Sequence, residues 1–196
     1  MIHKGISVSV QPQVGVLLSA MLLLLPLRWI LSWLVAAVIH ELCHALAIGL
    51  CGKRIYAVQI SASGAILRAD ALTLHQSIIC SLAGPLGGFV ITLFASVFPR
   101  IAVCALVQSL FNLLPIRPLD GNKVLHGISN LLFREQAAER VITVVEWLTL
   151  ATVSVLGLYI AFSWKLGLLP VAAVAGLVLR NTKIKIPCKD APNRVQ

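Results

Sequence analysis

The sequence predicts an all-α polytopic membrane protein with about six transmembrane helices and a small membrane-associated β segment. Three observations lead there. Hydrophobic residues make up 59% of the 196 residues and charged residues only 12%, with a mean hydropathy of +0.94. A soluble domain of this length could not hide so much apolar surface in its own core. The apolar residues gather into six stretches, at about 10–27, 29–50, 76–98, 101–114, 141–162 and 166–179. The basic residues, finally, are divided very unevenly between the connections.

Most of these stretches approach the roughly 20 residues that a helix needs to cross a hydrocarbon core about 30 Å thick. The first, with Lys4 before it, looks like a signal peptide. It lacks a small-x-small cleavage pattern, however, and apolar sequence resumes directly after Arg28, so it reads as a retained span. Pro26-Leu27-Arg28 leaves barely a turn, which predicts a tight helical hairpin between the first two spans. The fourth and sixth stretches are short, and tilt, partial unwinding or extension by flanking residues is expected there. Between the second and third, Tyr56, Val58 and Ile60 alternate with Ala57, Gln59 and Ser61, a strand period. Gly64 offers a turn before Ala65-Ile66-Leu67. This segment is either an interfacial loop or a small sheet whose free edge can pair with an extended peptide.

Six spans put Arg28, Arg100 and Lys165 on one side and every other Lys and Arg on the opposite side. By the positive-inside rule the basic side is cytosolic, with both termini inside. The net charge of +9 then suits anionic lipid head groups, and nucleic acid is not an expected partner. The organisation is one transmembrane domain over 1–182, followed by a basic cytosolic tail over 183–196, without linker, repeat or low-complexity tract. Cys43, Cys51, Cys80, Cys104 and Cys188 contain no CxxC pair and read as free thiols.

Chemistry enters in the second span, where His40-Glu41-Leu42-Cys43-His44 is an HExxH pattern. Residues four apart return to one helix face, so both imidazoles can reach one metal ion. Glu41 lies about 100° round the helix, close enough to reach a water at the metal without being a ligand. Zinc lowers the pKa of such a water to about 7, and Glu41 could take its proton and pass it to a leaving amine. Charged groups within a spanning helix cost roughly 2.5–3.5 kcal/mol each on insertion scales unless paired or metal-bound. Catalytic zinc takes three protein ligands plus water, so one more is needed. Only Glu41, Asp120 and Glu146 are acids in or beside apolar spans. Asp120 follows Pro115 and Pro118 and precedes Gly121, on backbone that should be unwound near the cytosolic face. Such backbone is tolerated only beside protein or a water-filled cavity. The topology brings Asp120 to the depth of His40 and His44, as a third ligand or as a turn carboxylate capping a loop. Lys123 reads as an exposed neighbour. His75 and His126 read as ordinary interfacial residues, and Glu146 as reaching the cytosolic head groups. Gly84 and Gly88 form a small-xxx-small pair suited to helix packing.

HELCH in a second span, AGPLGG (Ala83 to Gly88) in a third and NLLPIRPLDG (Asn112 to Gly121) after a fourth together resemble the site-2 protease family of intramembrane zinc metalloproteases. The compact bacterial branch, which includes the sporulation-factor processing proteases, is most similar. The resemblance covers about 29–127, the catalytic core it implies. It implies one Zn2+ per chain held by His40, His44 and Asp120, with Glu41 as general base. It also implies Asn112 as a catalytic polar group near the substrate or the developing oxyanion. The implied substrate is a membrane-spanning protein, in regulated intramembrane proteolysis of a transcription or sigma-factor pathway. The implied location is a bacterial cell membrane. Gly87-Gly88 stands where many relatives carry an asparagine, and Asn122 where a glycine often follows the Asp-Gly pair. Neither a PDZ-like insertion nor a CBS-like domain is visible. Two rivals compete. One is a catalytically inactive, client-binding protein of the same fold, which the intact HELCH and LDG disfavour. The other is a metal transporter, disfavoured because the outer half of every span is nearly bare of polar residues. A homo-oligomer is compatible with either.

Overall fold

A computed structural model describes residues 7–61 and 64–163. One short strand and a helical hairpin open the described residues in an unexpected way. β1 (Ser7–Val10) precedes α1 (Gln13–Leu24), so the first apolar stretch is a strand and a helix of only 12 residues rather than one span. Ser7-Val8-Ser9-Val10 alternates and its valines favour extended backbone. These four residues find a partner in β2 (Ile55–Ser61), to which they pair in parallel from Ser7↔Ala57 to Val10↔Ile60. β3 (Gly64–Ala69) pairs antiparallel with β2, giving a sheet in the order β1-β2-β3. The strand period read at 55–61 and the turn at Gly64 are both present. The expected small β segment is thus present, extended by β1 to three strands, and the described residues are mostly helical.

Pro26 ends the first helix. Leu25 before it is extended (ψ 144°), as a residue preceding proline prefers, and α2 (Leu27–Leu50) starts directly afterwards. At the other end of α2, Gly52 adopts φ +71°. Its N–H bonds Gly49 O at 2.9 Å and the Lys53 N–H bonds Ile48 O at 3.2 Å, the paired closure of a Schellman turn. The chain leaves into β2 at that point. Thr73 then starts α3 (Leu74–Thr92) with a capping box, its hydroxyl accepting from the Gln76 N–H while the Gln76 side chain accepts from the Thr73 N–H. After a turn comes α4 (Pro99–Asn112), with proline at its start where a missing N–H does no harm. Two elements follow: α5 (Asp120–Leu132) and α6 (Glu135–Ser163).

Among the described residues, α2, α3 and α6 are long and apolar enough to cross a membrane, and with the exposed aliphatic and aromatic surface they make this a membrane protein. The 14 residues of α4 reach only about 21 Å. The expected sixth stretch, at 166–179, lies outside the described residues. α5 was not expected, since its polar face hides it from a scan for apolar runs.

α3 is the hub, packing against α2, α4 and α5. Its close approaches are made by glycines. A Cβ at Gly87 would collide with Cys43 of α2, and one at Gly88 with Ser109 of α4. A side chain at either position would need Cys43 or Ser109 to give way. α6 joins through one stripe, Ala138, Ile142, Glu146 and Leu150, spaced one turn apart and all buried.

Candidate metal centre

α2 presents His40 and His44 on one face, both buried, with ring centroids 4.7 Å apart and planes nearly perpendicular at 82°. The third group arrives from a different part of the chain. α4 stops at Asn112 because Pro115 and Pro118 follow, each lacking an N–H and unable to continue a helix. Residues 113–119 form the unwound segment, with a cis Arg117–Pro118 peptide, and α5 begins at Asp120. Gly121 allows this turn, because a Cβ there would collide with the carbonyls of Leu113 and Leu114.

Asp120 is buried, and its Oδ2 lies 3.2 Å from His40 Nε2 and 3.0 Å from His44 Nε2, while the two Nε2 atoms are 3.1 Å apart. These separations test whether the residues fit a metal. Ligand atoms about 2.0–2.1 Å from a tetrahedral zinc lie about 3.3 Å from one another. The triangle is therefore nearly the size of one face of a zinc tetrahedron. The tautomer also fits. Cys80 O accepts a hydrogen bond from His44 Nδ1 at 2.6 Å, which leaves Nε2 of that ring free to coordinate. Among the described residues, the buried His40 Nδ1 has no hydrogen-bond partner.

The second oxygen of Asp120, Oδ1, accepts from Lys123 Nζ at 2.8 Å. Burial by itself would raise the Asp120 carboxyl. The hydrogen bonds to His40 and His44 and the nearby Lys123 ammonium outweigh it, and hold the group well below the usual carboxylate range. The ionised form that these contacts favour is the one suited to a dication. Lys123 is correspondingly more than the exposed neighbour its sequence position suggests.

Glu41 and Asn112 flank the triangle. Asn112 Nδ2 lies 3.4 Å from His40 Nε2. Glu41 Oε1 accepts the Ala65 N–H at 3.2 Å, so the first turn of β3 reaches the carboxylate beside the metal centre. Gly84 is closer to the site than a packing role alone requires: a Cβ there would meet the imidazoles of His44 and His40. Of the weaker sequence candidates, His75 is exposed. His126 is occupied by Asn130 at 2.8 Å and Glu139 at 3.3 Å. Glu146 does not reach toward head groups; it is fully buried against Arg117. The partnerships of Gly84 and Glu146 had no local sequence signal, because each partner lies on another element, whereas Lys123 and Asp120 are three residues apart on α5, a spacing at which helical side chains meet.

No protein-family model matches the chain. No curated protein matches it by sequence. In three dimensions it is similar to the site-2 protease from Methanocaldococcus jannaschii, with a TM-score of 0.62 and 16% identity over 100% of this chain and 98% of that one. The sequence resemblance and the three-dimensional likeness thus meet, and the fold of this chain is that of a site-2 protease.

Proposed function

We propose that the chain is a zinc-dependent intramembrane endopeptidase of the site-2 protease family. The observation that carries this reading is the convergence of His40, His44 and Asp120 within one buried triangle, two of whose corners sit on a helix long enough to span a membrane. A bound zinc ion supplies Lewis acidity to water and to the scissile carbonyl. Glu41, one residue from the first ligand, is the base that takes a proton from water and returns it to the departing amine. Asn112 Nδ2, on the same side of His40, donates to the oxygen on which negative charge develops.

The substrate is a membrane-spanning protein with a segment that leaves helical form near the cytosolic side, since a helix ties up the backbone groups an enzyme must bind. β3 carries no further strand on its outer side among the described residues, and an extended substrate could pair with that edge. The Glu41–Ala65 bond links this edge to the base. Release of a transcription regulator, or destruction of a sigma-factor inhibitor, is the pathway this reading favours, in a bacterial cell membrane with both chain ends cytosolic.

The test is co-expression with candidate single-span regulators, comparing wild type with Glu41→Gln. The variant should lose cleavage while keeping zinc near one per chain, because Glu41 acts on the proton and not as a ligand. Full activity in the variant would remove Glu41 from the mechanism. A wild-type protein that binds a client and never cleaves it would favour the inactive, client-binding reading.

A further inference from the structure

Outside the metal centre, one fully buried ionisable group in a spanning helix is not used by the mechanism above. Glu146 lies in the middle of the α6 stripe with no exposure. Its Oε1 accepts the backbone N–H of Arg117 at 3.1 Å, and its two oxygens receive Nε and Nη2 of the same arginine at 3.1 to 3.3 Å. Arg117 lies between Pro115 and Pro118, which have no N–H to give, and three residues before Asp120. Ile116 and Leu119, on either side of it, are buried against Leu150 one turn further along α6. The segment that turns α4 into the Asp120-bearing helix is therefore clamped to α6 through backbone, charge and apolar contact at once.

We propose that Glu146 is a positioning residue for the metal centre: it holds Arg117, and through Arg117 fixes where Asp120 stands relative to His40 and His44. The inference rests on the zinc reading above. The unwound segment has only short turn bonds of its own, such as Ile116 N–H to Leu114 O at 2.8 Å and Leu119 N–H to Ile116 O at 2.8 Å, and the Arg117 N–H is satisfied from outside it by Glu146. A carboxylate is suited to this because it accepts a backbone N–H and a guanidinium together, through two oxygens in a fixed plane. Ordinary packing would not require it. Burying a carboxylate is costly, and an apolar residue of similar size would hold α6 to the bundle as well or better. The added value of the carboxylate is geometric.

The experiment separates position from stability. Zinc affinity is measured by chelator competition on the purified, detergent-solubilised chain, alongside thermal unfolding, for wild type, Glu146→Gln, Arg117→Met and the double variant Arg117→Met/Glu146→Leu. Glu146→Gln keeps an acceptor for the Arg117 N–H and is expected to weaken zinc severalfold. Arg117→Met strands the buried carboxylate and is expected to lower both stability and zinc affinity. The double variant removes the stranded charge and should regain stability, yet bind zinc about tenfold more weakly than wild type, at the low end of what losing a ligand's supporting partner costs. A clamp that only stabilised the bundle would return both properties together. Wild-type zinc affinity in the double variant overturns the proposal, as does unchanged affinity in Glu146→Gln should the double variant not fold. A wild-type chain that takes up no zinc would instead defeat the metal reading itself, which His44→Ala, measured in parallel, would then match.

Discussion

Each oxygen of the Asp120 carboxylate has its own task. Oδ2 faces the two imidazoles and Oδ1 faces Lys123. Asp120→Asn preserves size and removes the charge that balances a dication where the local dielectric is low and Coulomb terms are large. Zinc affinity should fall by at least the 10–100-fold typical of losing even a supporting partner. Lys123→Met should do far less. The Lys123 side chain is 56% exposed, and exposed ion pairs contribute at most about 1 kcal/mol, or about fivefold in affinity. Chelator competition on both variants checks the order. Undiminished zinc in Asp120→Asn would take Asp120 out of the ligand set, and His126 would not replace it, being held by Asn130 and Glu139. At this scale the sequence was readable where chemistry is local. His40, Glu41 and His44 sit within five residues, and their spacing by itself puts the imidazoles on one face. Asp120 was readable as a candidate from its prolines and glycine, but its place in the triangle depends on a turn whose path is set by α6.

Among the elements, α3 shows how packing and chemistry become one property. Gly84 lets α3 lie against the metal-facing side of α2, and the Cys80 carbonyl one turn earlier receives His44 Nδ1. Gly84→Ala is therefore expected to push the His40 and His44 rings from their positions, of which that of His44 is held by the Cys80 carbonyl. Overpacking of this kind costs typically 1–3 kcal/mol. Here it should also lower zinc affinity and cleavage. Gly49→Ala, with open space around its added methyl, is the matched control and should alter neither. Thermal unfolding and zinc content distinguish the two; equal zinc in Gly84→Ala and wild type would reduce Gly84 to a packing residue. The element boundaries of α2, β2 and β3 were legible because a long apolar run, a strand period and Gly64 each act over a few neighbours. β1 was not, since Ser7-Val8-Ser9-Val10 is too short an alternation to stand out until a parallel partner distant in sequence selects the extended form. α5 escaped for the opposite reason, as its Asp-Gly-Asn start reads as a turn and its length is too short for a span.

Across the whole molecule, depth in the membrane follows from connectivity. α2 ends at Leu50 beside Lys53 and Arg54, and α3 returns from that side to the turn that leads to Arg100. α4 then runs back in the direction of α2 and delivers Asn112 and Asp120. His44 lies six residues and His40 ten residues before the end of α2, hence about 9 and 15 Å from it. The His40–His44–Asp120 group is thus nearer the end of α2 that leads to Lys53 and Arg54 than the opposite end. If the basic residues mark the cytosolic side, as insertion energetics favour, a thiol introduced at Lys53 in a cysteine-free background should label only after the membrane is permeabilised. A thiol at Arg100 should label from outside in intact cells. Outside labelling at Lys53 with protection at Arg100 would invert the chain and open the site to the other compartment. The inverted result would leave the zinc chemistry intact while removing cytosolic release of the cleaved product, so this measurement tests the biological direction of the reaction separately from the reaction itself.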